Sequence, residues 1–376
     1  MRGGSIDNDL LSKLESEAAA NPTPTAVARV VAAESAAAQF EISVGDFESA
    51  VAHYNVGLRF DPDNTGLLLE AAYLHLRRSE YSAGLDLLER ARRVDPDSPE
   101  VAKLAGWAYY GLNRAADAVT QWKRVMELKP DEETRHALEK AERDAREEAE
   151  YHEGETTHFR LKYNGGAAPE LARDVLKTLE SEFDEISSTL SYVPPEPIGV
   201  ILYTNQTFMD ITRAPSWSGA LNDGRIRVPV EGLTSMTDEL ARVLKHELTH
   251  SFVGQKTGGR CPVWLQEGIA QFMEGKRSRR NAGSLISAYE HHMEFSLASY
   301  ETSWLSLPRD TASNAYAWSL AVVETIVTVN GIDDLERILD RLAAGSSTQD
   351  AIRAVLHMDY SDLMLSTAQF LRKAYL

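Results

Sequence analysis

A chain of 376 residues, 43% of them hydrophobic, is long enough for two domains that each bury a core of their own. The formal charge of −18 argues against nucleic acid as a partner, because acidic groups outnumber basic ones 28 to 18 over residues 1–150 and 29 to 21 beyond. No apolar run approaches the roughly 18 residues that a transmembrane helix needs, and the single cysteine, Cys261, excludes an internal disulfide and reads as a small buried residue.

Met1-Arg2-Gly3-Gly4-Ser5 contains no apolar stretch able to act as a secretion signal. As the sequence stands the expected location is cytoplasmic; it is extracytoplasmic if a leader has been removed. Residues 1–30 are expected to form an N-terminal helical segment. Beyond them Pro62, Pro96 and Pro130 recur every 34 residues, each in an Asp-Pro or Lys-Pro turn after a helical run. That period is the signature of the tetratricopeptide repeat, a pair of antiparallel helices. Three units, 31–64, 65–98 and 99–132, put Ala50, Gly84 and Ala118 at one equivalent position and Tyr54, Leu88 and Trp122 at another. The small residues let the two helices of a unit approach closely, and Ala71, Ala105 and Gly106 fit the packing positions of the first helices. Such units cannot bury their apolar faces alone, so they stack into a superhelix whose concave groove suits a protein partner or substrate. The other expectation for the array is a purely structural one, holding or shielding the C-terminal domain. Residues 133–153 are highly charged and helix-prone, as a solvated capping or linker helix is.

From residue 154 to 376 the pattern changes. Phe159-Arg160-Leu161-Lys162-Tyr163 alternates like a strand, Pro169 to Leu190 has a helical period, and Ile198-Gly199-Val200-Ile201-Leu202-Tyr203 reads as a buried strand. Arg225-Ile226-Arg227-Val228-Pro229 alternates again, and Pro229, which cannot donate to a ladder, predicts an edge strand there. A sheet edge has unpaired backbone groups that can hold an extended peptide by strand addition.

Leu240, Val243, Leu244 and Leu248 recur at helical spacing after the start signals Ser235, Thr237 and Asp238. On that helix stands His246-Glu247-Leu248-Thr249-His250. Two histidines four apart lie on one face, where both imidazoles can reach one cation. A catalytic zinc keeps three protein ligands and an open position. Glu267, on a second helix starting near Pro262, offers the third ligand, after a Gly-bearing turn over Gln255-Lys256-Thr257-Gly258-Gly259. Glu247 is then placed to face the open position, where a general base belongs. The remaining sequence, from Leu285 to Leu376, reads as mostly helical, with turns at Leu307-Pro308, Asn330-Gly331 and Gly345-Ser346-Ser347.

These residues resemble the gluzincin metallopeptidases and, more closely, the peptidase MA-like domains found fused to tetratricopeptide repeats. The phrase Pro262-Val263-Trp264-Leu265-Gln266-Glu267-Gly268-Ile269-Ala270 carries most of that likeness. The resemblance implies an all-α repeat superhelix followed by an α+β zincin-like domain with a helical C-terminal part. It implies Zn²⁺ held by His246, His250 and Glu267, a protein or peptide substrate, and Glu247-assisted hydrolysis. A tyrosine in a segment like Ala315-Tyr316-Ala317-Trp318-Ser319 follows the ligands in that family, which makes Tyr316 the candidate donor to a developing oxyanion. His291 and His292 are weaker candidates for the same part. Gly219-Ala220-Leu221-Asn222-Asp223 loosely resembles the substrate-anchoring segment of zinc aminopeptidases, which marks Gly219, Ala220 and Asn222 as candidate substrate contacts. Asn222 stands where that family has a glutamate for the substrate's free amine, and the change favours cleavage within chains over trimming of their ends. The rival expectation is a catalytically silent or latent peptidase fold that serves as a repeat-bearing interaction scaffold.

Overall fold

The computed structural model describes residues 6–164, 169–203, 221–222, 224–230, 232–293, 296–302, 304 and 307–376. Two compact units divide the chain, Met1–Glu147 and Glu148–Leu376.

Among its described residues the first unit consists of helices and the turns that join them. Helix α1 (Asn8–Ala20) precedes three helix pairs: α2 (Pro24–Val44) with α3 (Phe47–Phe60), α4 (Thr65–Arg77) with α5 (Tyr81–Val94), and α6 (Pro99–Gly111) with α7 (Ala115–Leu128). Helix α8 (Glu132–Glu147) follows. Thr23, Asn64 and Ser98 cap the first helix of each pair by accepting a backbone N–H of its opening turn, which satisfies a donor the helix itself leaves orphaned. Ala50, Gly84, Ala118, Tyr54, Leu88 and Trp122 are all buried. Trp122 explains the small residue opposite it: its indole donates to the Lys103 carbonyl at 3.2 Å, and a Cβ on Gly106 would lie 2.1 Å from Nε1.

The second unit opens with a 3-10 turn, Glu148–Glu150, and builds a sheet of order β1-β2-β3-β5-β4. The strands are β1 (His152–Glu155), β2 (Phe159–Tyr163), β3 (Ile198–Tyr203), β4 (Leu221–Asn222) and β5 (Ile226–Pro229). The middle three are parallel, and β1 and β4 pair antiparallel at the two edges. Alternation sends Phe159, Leu161, Val200, Leu202, Ile226 and Val228 into one core. That core also takes Leu171, Val175, Leu179 and Phe183 of α9 (Pro169–Leu190) and Leu240, Leu244, Leu248 and Phe252 of α10 (Asp238–Lys256). Residues of the opposite parity include Lys162, Tyr203, Arg225 and Arg227. Arg225 Nη1 lies 2.9 Å from one Glu148 oxygen and Lys162 Nζ 3.2 Å from the other, while Arg227 donates to the Tyr203 hydroxyl at 2.6 Å.

Contrary to the reading of Pro229, β5 is not an edge strand. Pro229 is its last residue, and the next one, Val230, donates to the Tyr203 carbonyl at 2.8 Å, so the missing N–H falls where the ladder ends. The short β4 forms that edge instead. Beyond α10 come α11 (Val263–Met273), α12 (Ala282–Glu290), α13 (Arg309–Thr325), α14 (Ile332–Ala343), α15 (Thr348–Leu356) and α16 (Tyr360–Tyr375). Gly331 and Gly345 break this run at φ 105° and 91°, values that glycine adopts without steric cost. No single helix among the described residues is long and apolar enough to cross a membrane. An all-α repeat array followed by an α+β domain with a helical C-terminal part is the architecture the sequence predicts.

Candidate metal centre

Helix α10 starts on Thr237, whose hydroxyl accepts the Leu240 N–H at 3.1 Å. Its apolar stripe packs into the core and leaves His246 and His250, one turn apart, only partly buried. Gly258 and Gly259, at φ 57° and 74°, reverse the chain, and Pro262 caps α11. Helix α11 lies tight against α13. A Cβ on Gly268 would fall 2.4 Å from the Ser319 carbonyl oxygen, so only glycine at this position lets the two helices meet. Glu267, the neighbouring residue, is thereby carried to the histidines.

The ligand atoms of His246, His250 and Glu267 all lie within 4.8 Å of one another. The two Nε2 atoms are 3.2 Å apart, His246 Nε2 is 3.4 Å from Glu267 Oε2, and His250 Nε2 is 3.7 Å from Glu267 Oε1. Ligand atoms around a tetrahedral zinc, each about 2.1 Å from it, stand about 3.4 Å apart. The donor set and its spacing fit that ion. Among the described residues Glu267 Oε2 is moreover buried with no hydrogen-bond partner, an arrangement a cation relieves.

Charge is distributed unevenly over the site. Burial disfavours the cationic form of His246, but Glu267 and Glu274 outweigh burial and raise its pKa to about 10. Burial dominates at His250 and brings it down to about 4. For Glu247, burial raises the carboxyl to about 7; Glu267 and Glu274 add to the rise and His246 opposes it. Glu267 stays below its ordinary value because His250 and His246 together overcome its burial.

Two residues missed in the sequence complete the arrangement. Glu274 Oε1 lies 3.2 Å from His246 Nδ1 and 2.8 Å from Lys276 Nζ. Gln271 donates to the carbonyls of Glu267 and Tyr316 at 3.1 and 3.0 Å, joining α11 to α13. The signal was present: 267, 271 and 274 follow the 3–4 spacing that keeps residues on one helix face.

Tyr316, on α13, packs edge-on against Trp304 with centroids 5.2 Å apart. Burial, then the charges of Glu267 and Glu247, push its phenol well above the ordinary value, so it keeps its proton. His291 and His292 are exposed at the end of α12, where His291 Nδ1 is 2.8 Å from the Ser287 carbonyl. Gly219 and Ala220 lie outside the described residues. Asn222 is described, and its carboxamide is engaged within the fold: Nδ2 donates to the Glu247 carbonyl and to Ser251 Oγ. Cys261 is buried, and burial pushes its thiol well up.

Residues 186–372 match the Peptidase MA superfamily, and residues 41–107 match the tetratricopeptide repeat. The chain joins tetratricopeptide repeats to a peptidase MA-like domain. The matched part of the peptidase MA-like domain runs from the end of α9 to α16 and contains His246, Glu247, His250, Glu267 and Tyr316. The NMR structure of the first TPR domain of the human RPAP3 protein is similar at 19% identity and TM-score 0.30, over 31% of this chain and 93% of its own. No curated protein matches the chain.

Proposed function

We propose that the chain is a zinc-dependent peptidase that cleaves peptide bonds within polypeptides, with its repeats docking the substrate or a protein partner. The carrying observation is the convergence of His246, His250 and Glu267 at the separations of tetrahedral vertices, with Glu247 beside the first of them. Zinc held by these three residues supplies a Lewis acid that acidifies water and polarises a carbonyl. Glu247, with its carboxyl raised to about 7 by burial, takes a proton from the attacking water and returns it to the leaving amine. Tyr316, protonated across the working pH range, donates to the carbonyl oxygen as negative charge develops there. Asn222 carries no charge that could hold a free α-amine, which favours internal bonds.

The test is digestion of unfolded casein by the zinc-loaded wild type and by Glu247→Gln, with the metal content of both measured. Cleavage by the wild type alone, at equal zinc, is expected. Equal cleavage by the two proteins would remove Glu247 from the reaction.

A further inference from the structure

We infer that Asn222 is a positioning residue that locks the edge strand β4 to the turn of α10 bearing Glu247. Its catalytic meaning rests on the peptidase reading above, whereas the lock itself rests on hydrogen bonds. Asn222 Nδ2 donates to the Glu247 carbonyl at 2.8 Å and to Ser251 Oγ at 2.6 Å, and Oδ1 accepts from the Gly224 N–H at 3.1 Å. The partners fix the orientation of the amide. A flip would set Oδ1 against the Glu247 carbonyl and NH₂ against the Gly224 N–H, opposing acceptor to acceptor and donor to donor.

This geometry acts in two ways. Both amide hydrogens of Asn222 are consumed inside the fold, so the side chain has no donor left for a substrate. Among the described residues β4 pairs with β5 through Leu221 opposite Arg227 and Asn222 opposite Ile226, and a two-residue ladder of this kind holds a strand weakly by itself. The carboxamide adds a second attachment, to a buried serine and to the backbone of the residue proposed as the base. A peptide laid along the β4 edge is registered against β4, and Asn222 registers β4 against Glu247. The arrangement sets the distance between the scissile bond and the base, the quantity to which a rate is most sensitive.

The experiment uses the zinc-loaded full chain with Asn222→Ala and Asn222→Asp. Steady-state kinetics are measured on a peptide with a blocked N-terminus and on its free-amine counterpart, zinc affinity by chelator competition, and amide hydrogen exchange over residues 221–230 and 243–251. In both variants kcat falls about 10²-fold, the scale of a 1 Å misplacement. The KM and the zinc affinity stay within about twofold of wild type, and exchange in both segments quickens about fivefold, the loss of roughly one hydrogen bond. Aspartate fills the same space without a donor, so Asn222→Asp is as impaired as Asn222→Ala. A wild-type kcat in either variant overturns the inference, as does a gain by Asn222→Asp on the free-amine peptide alone, which would turn the side chain toward substrate. If the wild type cleaves neither peptide, the peptidase reading fails and exchange decides the lock. Faster exchange over 243–251 in Asn222→Ala then sustains it, and unchanged exchange removes it.

Discussion

His246 meets Glu274 through Nδ1, at 3.2 Å, on the side of the ring away from the nitrogen that faces His250. A carboxylate at that position fixes the orientation of the ring and makes it a stronger donor to a metal. Glu274→Ala is expected to weaken zinc binding about 10- to 100-fold, and Glu274→Gln, which retains a hydrogen-bond partner without its charge, by less. Competition with a chromophoric chelator measures both, and wild-type affinity in Glu274→Ala would end this assignment.

Proton and metal compete for His246. With its pKa raised to about 10, apparent zinc affinity climbs about tenfold per pH unit from about 7 to 9 and levels off above about 10, because one proton leaves as the metal binds. The same group governs the metal-free fold. A histidine whose folded value exceeds its unfolded one contributes stability that is complete below about 6.5 and is lost as pH rises toward 10. Below that window Glu247, raised, and His250, lowered, act in opposite senses, and toward pH 9 the raised Cys261 thiol adds a loss of the same sign, so the clean test lies between pH 7 and 8. Thermal melts of chelator-treated protein should move downward over that interval, and a rising melting temperature would contradict the assigned charge on His246.

Gly268→Ala drives a methyl group into the Ser319 carbonyl and Val323. Overpacking of this kind costs about 1–3 kcal/mol. The strain separates α11 from α13 and draws Glu267 away from the histidines, so zinc affinity should fall along with the melting temperature. A variant that melts lower yet binds zinc normally would show that the helix contact does not set the position of Glu267.

Tyr316→Phe removes one hydroxyl and little packing. If that hydroxyl serves the developing oxyanion, kcat drops about 10²-fold, while KM and zinc content hold. A kcat within about twofold of wild type would leave Tyr316 as a core aromatic packed on Trp304.

The parts of the fold legible in the sequence are those whose residues obey a period or form an unbroken apolar run. The 34-residue recurrence of prolines gave the helix pairs of the first unit, apolar alternation gave β2 and β5, and a continuous apolar run gave β3. Strand β1 was not legible, because His152-Glu153-Gly154-Glu155 is largely exposed and has no apolar face to alternate. Pro229 misled for a related reason: a missing donor is harmless at a strand end as well as at a sheet edge, and sequence does not say where the ladder stops. The three candidate ligands were readable because metal coordination needs particular residue types at particular spacings. Glu274 shares a helix face with Glu267 and was open to the same spacing argument, whereas the bond from Asn222 to the Glu247 carbonyl at 2.8 Å spans the fold, and no local pattern records it.

Glu148 bears on how the protein can be taken apart. Its buried carboxylate serves Arg225 and Lys162 at once, yet it precedes residue 154, where the strand pattern of the sequence begins. A fragment started at 154 discards that carboxylate along with half of β1, at a cost of about 3–5 kcal/mol for the broken buried pair alone. The smallest self-sufficient piece of the second unit is thus defined by an ion pair rather than by the motif that gives the unit its chemistry.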